Sequence, residues 1–194
     1  RLHVVGRSGL QPEFDPDVLN CLQNVAIGLA CFFISTKSED PKVTPSIIST
    51  CGNIFDSILH NLKIQKKCSH LSSKFVAWLE TMATYCKGVA SAQVALDLYS
   101  KHSIGKAIGI IRMSISDLES VLVIARREKK SIELVVRILN ILYPLQQKWT
   151  QENSQIYSEV VPDRSESQGI VHNEFRNLPN LPSPIPFDLN SPSQ

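Results

Sequence analysis

The sequence lacks the residue patterns on which most enzymes and metal proteins depend. It contains no GxxxxGK phosphate loop, no GxSxG nucleophile turn and no HExxH metal motif. Its five histidines stand at no metal-ligand spacing from one another or from a cysteine. The acidic residues Glu80, Asp97, Asp117 and Glu119 fall on predicted solvent faces of helices, where a catalytic carboxylate pair is not expected. We therefore predict no catalytic residue, metal site, cofactor or small-molecule substrate.

The sequence also lacks a disulfide pattern and a long apolar run. Its five cysteines are odd in number and show no CxxC spacing, and four of them fall in predicted helices. This distribution favours reduced, buried thiols of a cytosolic protein. No uninterrupted apolar stretch of about 18 residues occurs, which argues against a membrane span. Residues 1–10 resemble neither a signal peptide nor the start of a domain, so we expect the chain to belong to a longer polypeptide.

Neither sign of charge dominates the chain. Twenty basic and 18 acidic residues give a formal charge of +2. One basic cluster, Arg126, Arg127, Lys129 and Lys130, falls at a predicted helix end, where the helix dipole favours cations; a site for an acidic partner is the alternative. The two tryptophans have core-like spacing without interleaved basic residues, so we predict no nucleic-acid partner. A hydrophobic content of 43% over 194 residues is typical of one globular domain with a real core.

The strongest positive signal is helical periodicity. Apolar residues recur at three- and four-residue steps, and no segment alternates as a strand would. The predicted helices span residues 18–36, 44–67, 69–101, 104–127 and 131–157. Pro144 is expected to kink the last of them. We therefore predict an all-α fold with a helical body.

The junction of the third and fourth predicted helices carries a finer pattern. Small and apolar residues flank a turn at His102–Ser103, namely Ala92, Ala95, Tyr99, Ile104, Ala107, Ile108, Ile111, Ser114 and Ile115. Their spacing resembles one tetratricopeptide helix pair. Because no 34-residue period repeats it, an ordinary helical hairpin fits the pattern equally well.

Prolines concentrate near the C-terminus, where six of the eleven lie between positions 162 and 192. Proline fixes φ and lacks a backbone donor, so such a tail suits neither a helix interior nor a central strand. The tail nevertheless carries apolar residues: Ile170, Val171, Phe175, Leu178, Leu181, Ile185 and Phe187. We predict that residues 1–162 form the helical body and that 163–194 form an extended Pro-rich arm packed on the helices.

The order of these features resembles the C-terminal half of a Bro domain. In that family the last helix ends in an Asn-x-x-Ile-Tyr string followed by a Val-Pro or Ile-Pro pair, which corresponds here to Asn153, Ile156–Tyr157 and Val161–Pro162. The stretch 183–188, SPIPFD, is similar to a Pro-Ile-Pro-Phe stretch of the family. Ser154 and Gln155 depart from the family's usual aspartate and aromatic residue.

Two weaker similarities fall in the expected order along the chain. Pro16–Asp17, leading to Phe32–Phe33, resembles a family helix that ends in paired aromatic residues. Residues 85–88, followed by 106–108, resemble its helical hairpin. With the C-terminal motifs, these similarities cover the chain from about Asp15 to Asp188.

The resemblance implies a non-enzymatic adaptor of the Alix, Brox and fungal pH-response type, with a curved helical body. Such an adaptor is cytoplasmic and recruited to endosomes, with peripheral membrane association through its partners. The implied partner is the C-terminal amphipathic helix of an ESCRT-III subunit, in multivesicular-body sorting or pH-response signalling. A helical-repeat interaction scaffold unrelated to ESCRT-III is the main alternative, and an enzyme with its active site outside this chain is a third.

Two sets of residues are singled out under this hypothesis. An amphipathic helix needs an apolar groove, and the candidate residues for it lie on the first helix: Leu19, Leu22, Val25 and Ala26. Ordinary core positions are the alternative for these four. Asn153, Ile156, Tyr157 and Pro162 are expected to form a structural junction between the last helix and the arm.

Overall fold

The structure, a computed structural model, describes residues 16–37, 43–65, 72–127 and 132–176. The described residues form helices joined by turns, with no β-strand among them. The helices are α1 (Pro16–Lys37), α2 (Val43–Gln65), α3 (Ser73–Ser100), α4 (Ile104–Arg127), α5 (Glu133–Glu152), a π-helical turn (Asn153–Tyr157) and α6 (Arg164–Arg176). The all-α prediction is confirmed. The predicted ends of the second and third helices at 66–67 and 69–71 lie outside the described residues.

The helices pack in the order in which they occur in the chain. Each of α1 to α4 packs against the next helix, and α6 returns to cover α4. α4 lies at the centre, and its Ile108, Ile110, Ile111 and Leu118 side chains are fully buried. Because α3, α5 and α6 all pack on α4, its apolar residues are not confined to one narrow stripe.

The predicted hairpin between α3 and α4 is confirmed. His102 adopts a left-handed conformation at the turn (φ 60°), and Ser103 N–H donates to Leu98 O at 2.9 Å. Between the two helices, Ser114 Oγ–H donates to Gly88 O at 2.7 Å, and a Cβ on Gly88 would lie 3.0 Å from Leu118 Cγ. Small side chains thus allow the two helices to approach closely.

The prediction of an extended arm over 163–194 is wrong for its first part, since residues 164–176 form α6. This stretch contains no proline and begins with a capping box. Glu166 N–H donates to Asp163 Oδ1 at 2.8 Å, and Asp163 N–H donates to Glu166 Oε2 at 3.1 Å. Ile170, Val171 and Phe175 pack against the core as expected. The Pro-rich part, 177–194, lies outside the described residues.

The segment that joins α5 to α6 crosses α4 closely, because two glycines one turn apart lie beneath it on α4. A Cβ on Gly105 would lie 2.4 Å from Val160 O, and a Cβ on Gly109 would lie 2.6 Å from Pro162 Cγ. No described glycine has a positive φ. Glycine is therefore required at these two positions because a larger side chain would not fit, and not because of the backbone conformation.

Replacing Gly109 by Ala should destabilise the protein. The added methyl group forces apart α4 and the segment around Pro162, and overpacking of this kind costs about 2 kcal/mol. Gly169→Ala in α6 is the matched control, because its Cβ would meet nothing within 4 Å. We expect alanine at position 169 to stabilise α6 by up to about 1 kcal/mol. Urea unfolding followed by circular dichroism measures the free energy of unfolding of both variants. Equal values would contradict the close contact between Gly109 and Pro162.

Candidate partner-binding surface

α1 has one face packed on α2 and one face open to solvent. Val18, Cys21 and Val25 repeat at three- and four-residue steps and are buried. On the open side Leu19 is 49%, Leu22 47% and Phe33 63% exposed, and Ala26 is exposed between them. Helical periodicity places Leu19, Leu22, Ala26 and Phe33 along one line. We call these four residues the α1 stripe.

Three of the four predicted binding residues lie on this stripe. Val25 does not, and its assignment to a partner surface is corrected: it follows Cys21 by four residues and Val18 by seven, so it faces α2 and belongs to the core. Phe33 also lies on this surface, although its sequence position was not among the predicted binding residues. Its position seven residues after Ala26 is the signal that would have placed it there.

Close packing beneath α1 fixes the orientation of the stripe. A Cβ on Gly28 would lie 3.0 Å from the Phe55 ring of α2. The Cys51 thiol donates to Gly28 O at 3.1 Å. Phe32 makes an edge-on contact with Tyr85 of α3, with ring centroids 6.0 Å apart. α1 is thus held against both α2 and α3, with its apolar stripe facing outward.

Two thiols and one tyrosine ring lie buried beneath α1. Cys51 and Cys86 are fully buried, and the Cys86 thiol donates to Cys51 Sγ at 3.5 Å. This hydrogen bond lowers the pKa of Cys51 and, together with burial, raises the pKa of Cys86. Burial raises the pKa of Tyr85 to about 12. All cysteines in the described part of the chain are free, as predicted.

α1 is, within the described residues, the one helix long and apolar enough to cross a membrane by length and composition. A single helix of this kind is weak evidence for a span, because core helices pass the same test. The buried face of α1 packs on α2, and Asn20 and Asn24 hydrogen-bond to each other on its surface. The exposed apolar side of α1 is therefore the candidate partner-binding surface.

The predicted junction after α5 is organised by Asn153. Its side chain is buried and forms two hydrogen bonds to the backbone of Glu159: Nδ2–H donates to the carbonyl at 2.9 Å, and Oδ1 accepts from N–H at 3.0 Å. Ser158 reverses the chain in a left-handed conformation (φ 52°), and its N–H donates to Asn153 O at 2.7 Å. These contacts end the helix and turn the chain back over α4.

The segment after this turn is attached to α4 at two points. Glu159 Oε2 accepts from Gly105 N–H at 2.7 Å, which satisfies a free donor at the N-terminus of α4. Further along, the guanidinium group of Arg164 pairs with Asp117. Pro162 lies against Gly109, as a junction residue should.

Ile156 and Tyr157 contribute less to the junction than predicted, because they are 69% and 42% exposed. Near the end of α5, the buried aromatic ring is that of Trp149, which stacks on the ring of Tyr99 with centroids 4.4 Å apart. Tyr99 Oη–H also donates to Glu152 Oε2 at 2.6 Å, and this bond raises the pKa of Tyr99 to about 12.

α6 closes one side of a cleft of about 370 Å³ over α2, α3 and α4. Its walls combine the charged and polar side chains of Lys87, Asp117 and His172 with the apolar ones of Met113 and Phe175. Lys87 is paired with Asp56, so one of the charges at the cleft is already neutralised. Within the described ranges, no group of three His, Cys, Asp or Glu side chains is placed to hold a metal ion.

The helical array, the exposed stripe and the returning segment define an all-α helical body. A profile of the BRO1-like domain matches residues 3–179, nearly the whole chain. The chain therefore belongs to the BRO1-like domain family, which confirms the resemblance drawn from the sequence. A search of curated proteins found no match.

Two solved structures share the fold. One is a Bro1 domain studied for the structural basis of endosomal targeting, with a TM-score of 0.69 and 16% identity over 85% of this chain. The other is ALIX in complex with the SIVmac239 PYKEVTEDL late domain, with a TM-score of 0.71 and 14% identity over 84% of this chain. The chain spans 51% of the first protein and 23% of the second. Identities this low show a common fold alone.

Replacing Asn153 by Ala should destabilise the protein by about 2 kcal/mol, because it leaves the N–H and C=O groups of Glu159 without their partner. Ile156→Ala three residues later is the control, and its exposed side chain should change stability by less than about 0.5 kcal/mol. Thermal unfolding by circular dichroism measures the difference. Equal stability of the two variants would contradict the assignment of the junction to Asn153.

Proposed function

We propose that this chain is part of a non-enzymatic adaptor that binds the C-terminal amphipathic helix of an ESCRT-III subunit through the α1 stripe. One observation carries the proposal: in a chain of the BRO1-like domain family, Leu19, Leu22 and Phe33 expose apolar side chains along one line of a closely packed helix. Helix-in-groove recognition requires anchors at this kind of spacing.

The apolar area on α1 supports a protein partner. Only 28% of the apolar stretch of α1 is buried within the chain, and exposed apolar patches of this kind mark interaction sites. A docked amphipathic helix would cover Leu22 and Phe33, and each large apolar side chain removed from water contributes about 1.5–3 kcal/mol. The cellular role that follows is cytoplasmic, with recruitment to endosomes through the bound partner, in endosomal sorting or pH-response signalling.

A charged residue on the stripe should abolish binding and leave the fold intact. In Leu22→Asp the carboxylate is hydrated in the free protein and loses water only when the partner helix docks. We expect affinity for an ESCRT-III C-terminal peptide to fall roughly thirtyfold or more, which corresponds to about 2 kcal/mol at a binding hot spot. Phe33→Asp should behave in the same way. Calorimetry measures affinity, and circular dichroism measures the fold.

Two matched variants control this experiment. Val25→Asp places a charge in the core and should unfold the protein, because an unpaired buried charge is strongly destabilising. Val160→Asp, at a side chain 88% exposed far along the chain, should retain both the fold and binding. Unchanged peptide affinity in Leu22→Asp and Phe33→Asp would exclude the α1 stripe. A wild-type chain that binds no ESCRT-III helix would favour the alternative, a helical scaffold with an unrelated partner.

A further inference from the structure

Two buried cysteines on neighbouring helices lie in contact, and the proposed function does not use them. Cys51 of α2 and Cys86 of α3 are both fully buried, and the Cys86 thiol donates to Cys51 Sγ at 3.5 Å. Gly52 allows this approach of the two helices, because a Cβ on Gly52 would lie 3.3 Å from Cys86 Cβ. A disulfide requires the two sulfur atoms to move closer by about 1.5 Å, a shift that rotation of the side chains can supply.

The Cys51 thiol also contacts α1, where it donates to Gly28 O at 3.1 Å. A disulfide sulfur has no hydrogen to donate, so oxidation of Cys51 removes this contact while it joins α2 to α3 covalently. Because α1 lies over Cys51, local separation of α1 from α2 is the route by which a small oxidant reaches the thiol. Oxidation of the two cysteines and attachment of α1 are therefore coupled.

The two thiols differ in acidity, and this difference assigns their chemical roles. The hydrogen bond between them lowers the pKa of Cys51, and the same bond together with burial raises the pKa of Cys86. The thiolate is the nucleophilic form of cysteine. Cys51 is therefore the thiol that reacts first with an oxidant, and Cys86 is the thiol that then attacks the oxidised sulfur.

We propose that Cys51 and Cys86 are an oxidisable dithiol, which a peroxide converts to a disulfide when α1 separates locally from α2. In the first step the Cys51 thiolate attacks one oxygen of hydrogen peroxide and the O–O bond breaks. Hydroxide leaves and takes up the proton that Cys51 lost. In the second step the Cys86 sulfur attacks the sulfenic sulfur of Cys51, the S–O bond breaks, and the departing hydroxide takes the Cys86 proton. Two thiols are oxidised, one peroxide is reduced and two water molecules form.

Peptide mapping of the folded 194-residue chain after treatment with hydrogen peroxide tests the proposal. Tryptic digestion without reductant should yield peptide 43–63 cross-linked to peptide 75–87, each of which contains one cysteine. Dithiothreitol should reverse the cross-link. Cys86→Ser should abolish it. Cys31→Ser, which removes a half-buried thiol of α1, is the matched control and should form the cross-link as the wild type does.

Two rate measurements test the coupling to α1. Amide hydrogen exchange in α1 should become roughly threefold faster after oxidation, because Gly28 O has lost its thiol donor. Gly28→Ala should speed formation of the cross-link, since the added Cβ would lie 3.0 Å from the Phe55 ring and separates α1 from α2. Gly169→Ala in α6 should leave the rate unchanged.

Four results would overturn the proposal. They are reduced Cys51 and Cys86 after peroxide treatment, a disulfide from either of them to Cys31, unchanged amide exchange in α1 of the oxidised protein, and equal rates of cross-linking in Gly28→Ala and the wild type. The first two concern the wild-type chain alone, so they apply even where a variant is poorly folded.

Discussion

The close passage of residues 159–162 over Gly105 and Gly109 is the constraint on which the rest of the helical body depends. It brings the Glu159 carboxylate to the N-terminus of α4 and Pro162 against the middle of the same helix. From there α6 can begin with its cap at Asp163 and lie across α4. Without this crossing, α4 would lose contacts on one side. In the folded chain its Ile108, Ile110 and Ile111 side chains are fully buried.

Asn153 makes that crossing possible because an amide side chain can donate and accept at once. It forms both hydrogen bonds to the Glu159 backbone and so satisfies the N–H and C=O groups of a residue just outside the helix. The Asn-x-x-Ile-Tyr motif is therefore structural in its first residue. Its exposed last two residues do not hold the turn together.

The exposed apolar stripe belongs to a helix that is closely packed on its other side. α1 contacts Phe55 of α2 and Tyr85 of α3, and these contacts orient its stripe outward. At the other end of the helical series, α5 packs mainly on α4.

The sequence by itself determined the all-α class, the hairpin around His102 and the family, because helical periodicity and the motif at Asn153 are local properties of the chain. It also placed Leu19, Leu22 and Ala26 on α1. The tertiary structure decided which apolar residues of α1 are buried and where α6 lies. Val25 and Leu22 are equally apolar, and only the position of α2 buries one and leaves the other exposed. Likewise, residues 164–176 lack proline and follow a capping residue, Asp163, and both features favour a helix within the predicted arm. The position of α6, however, is set by the space that Gly109 leaves on α4.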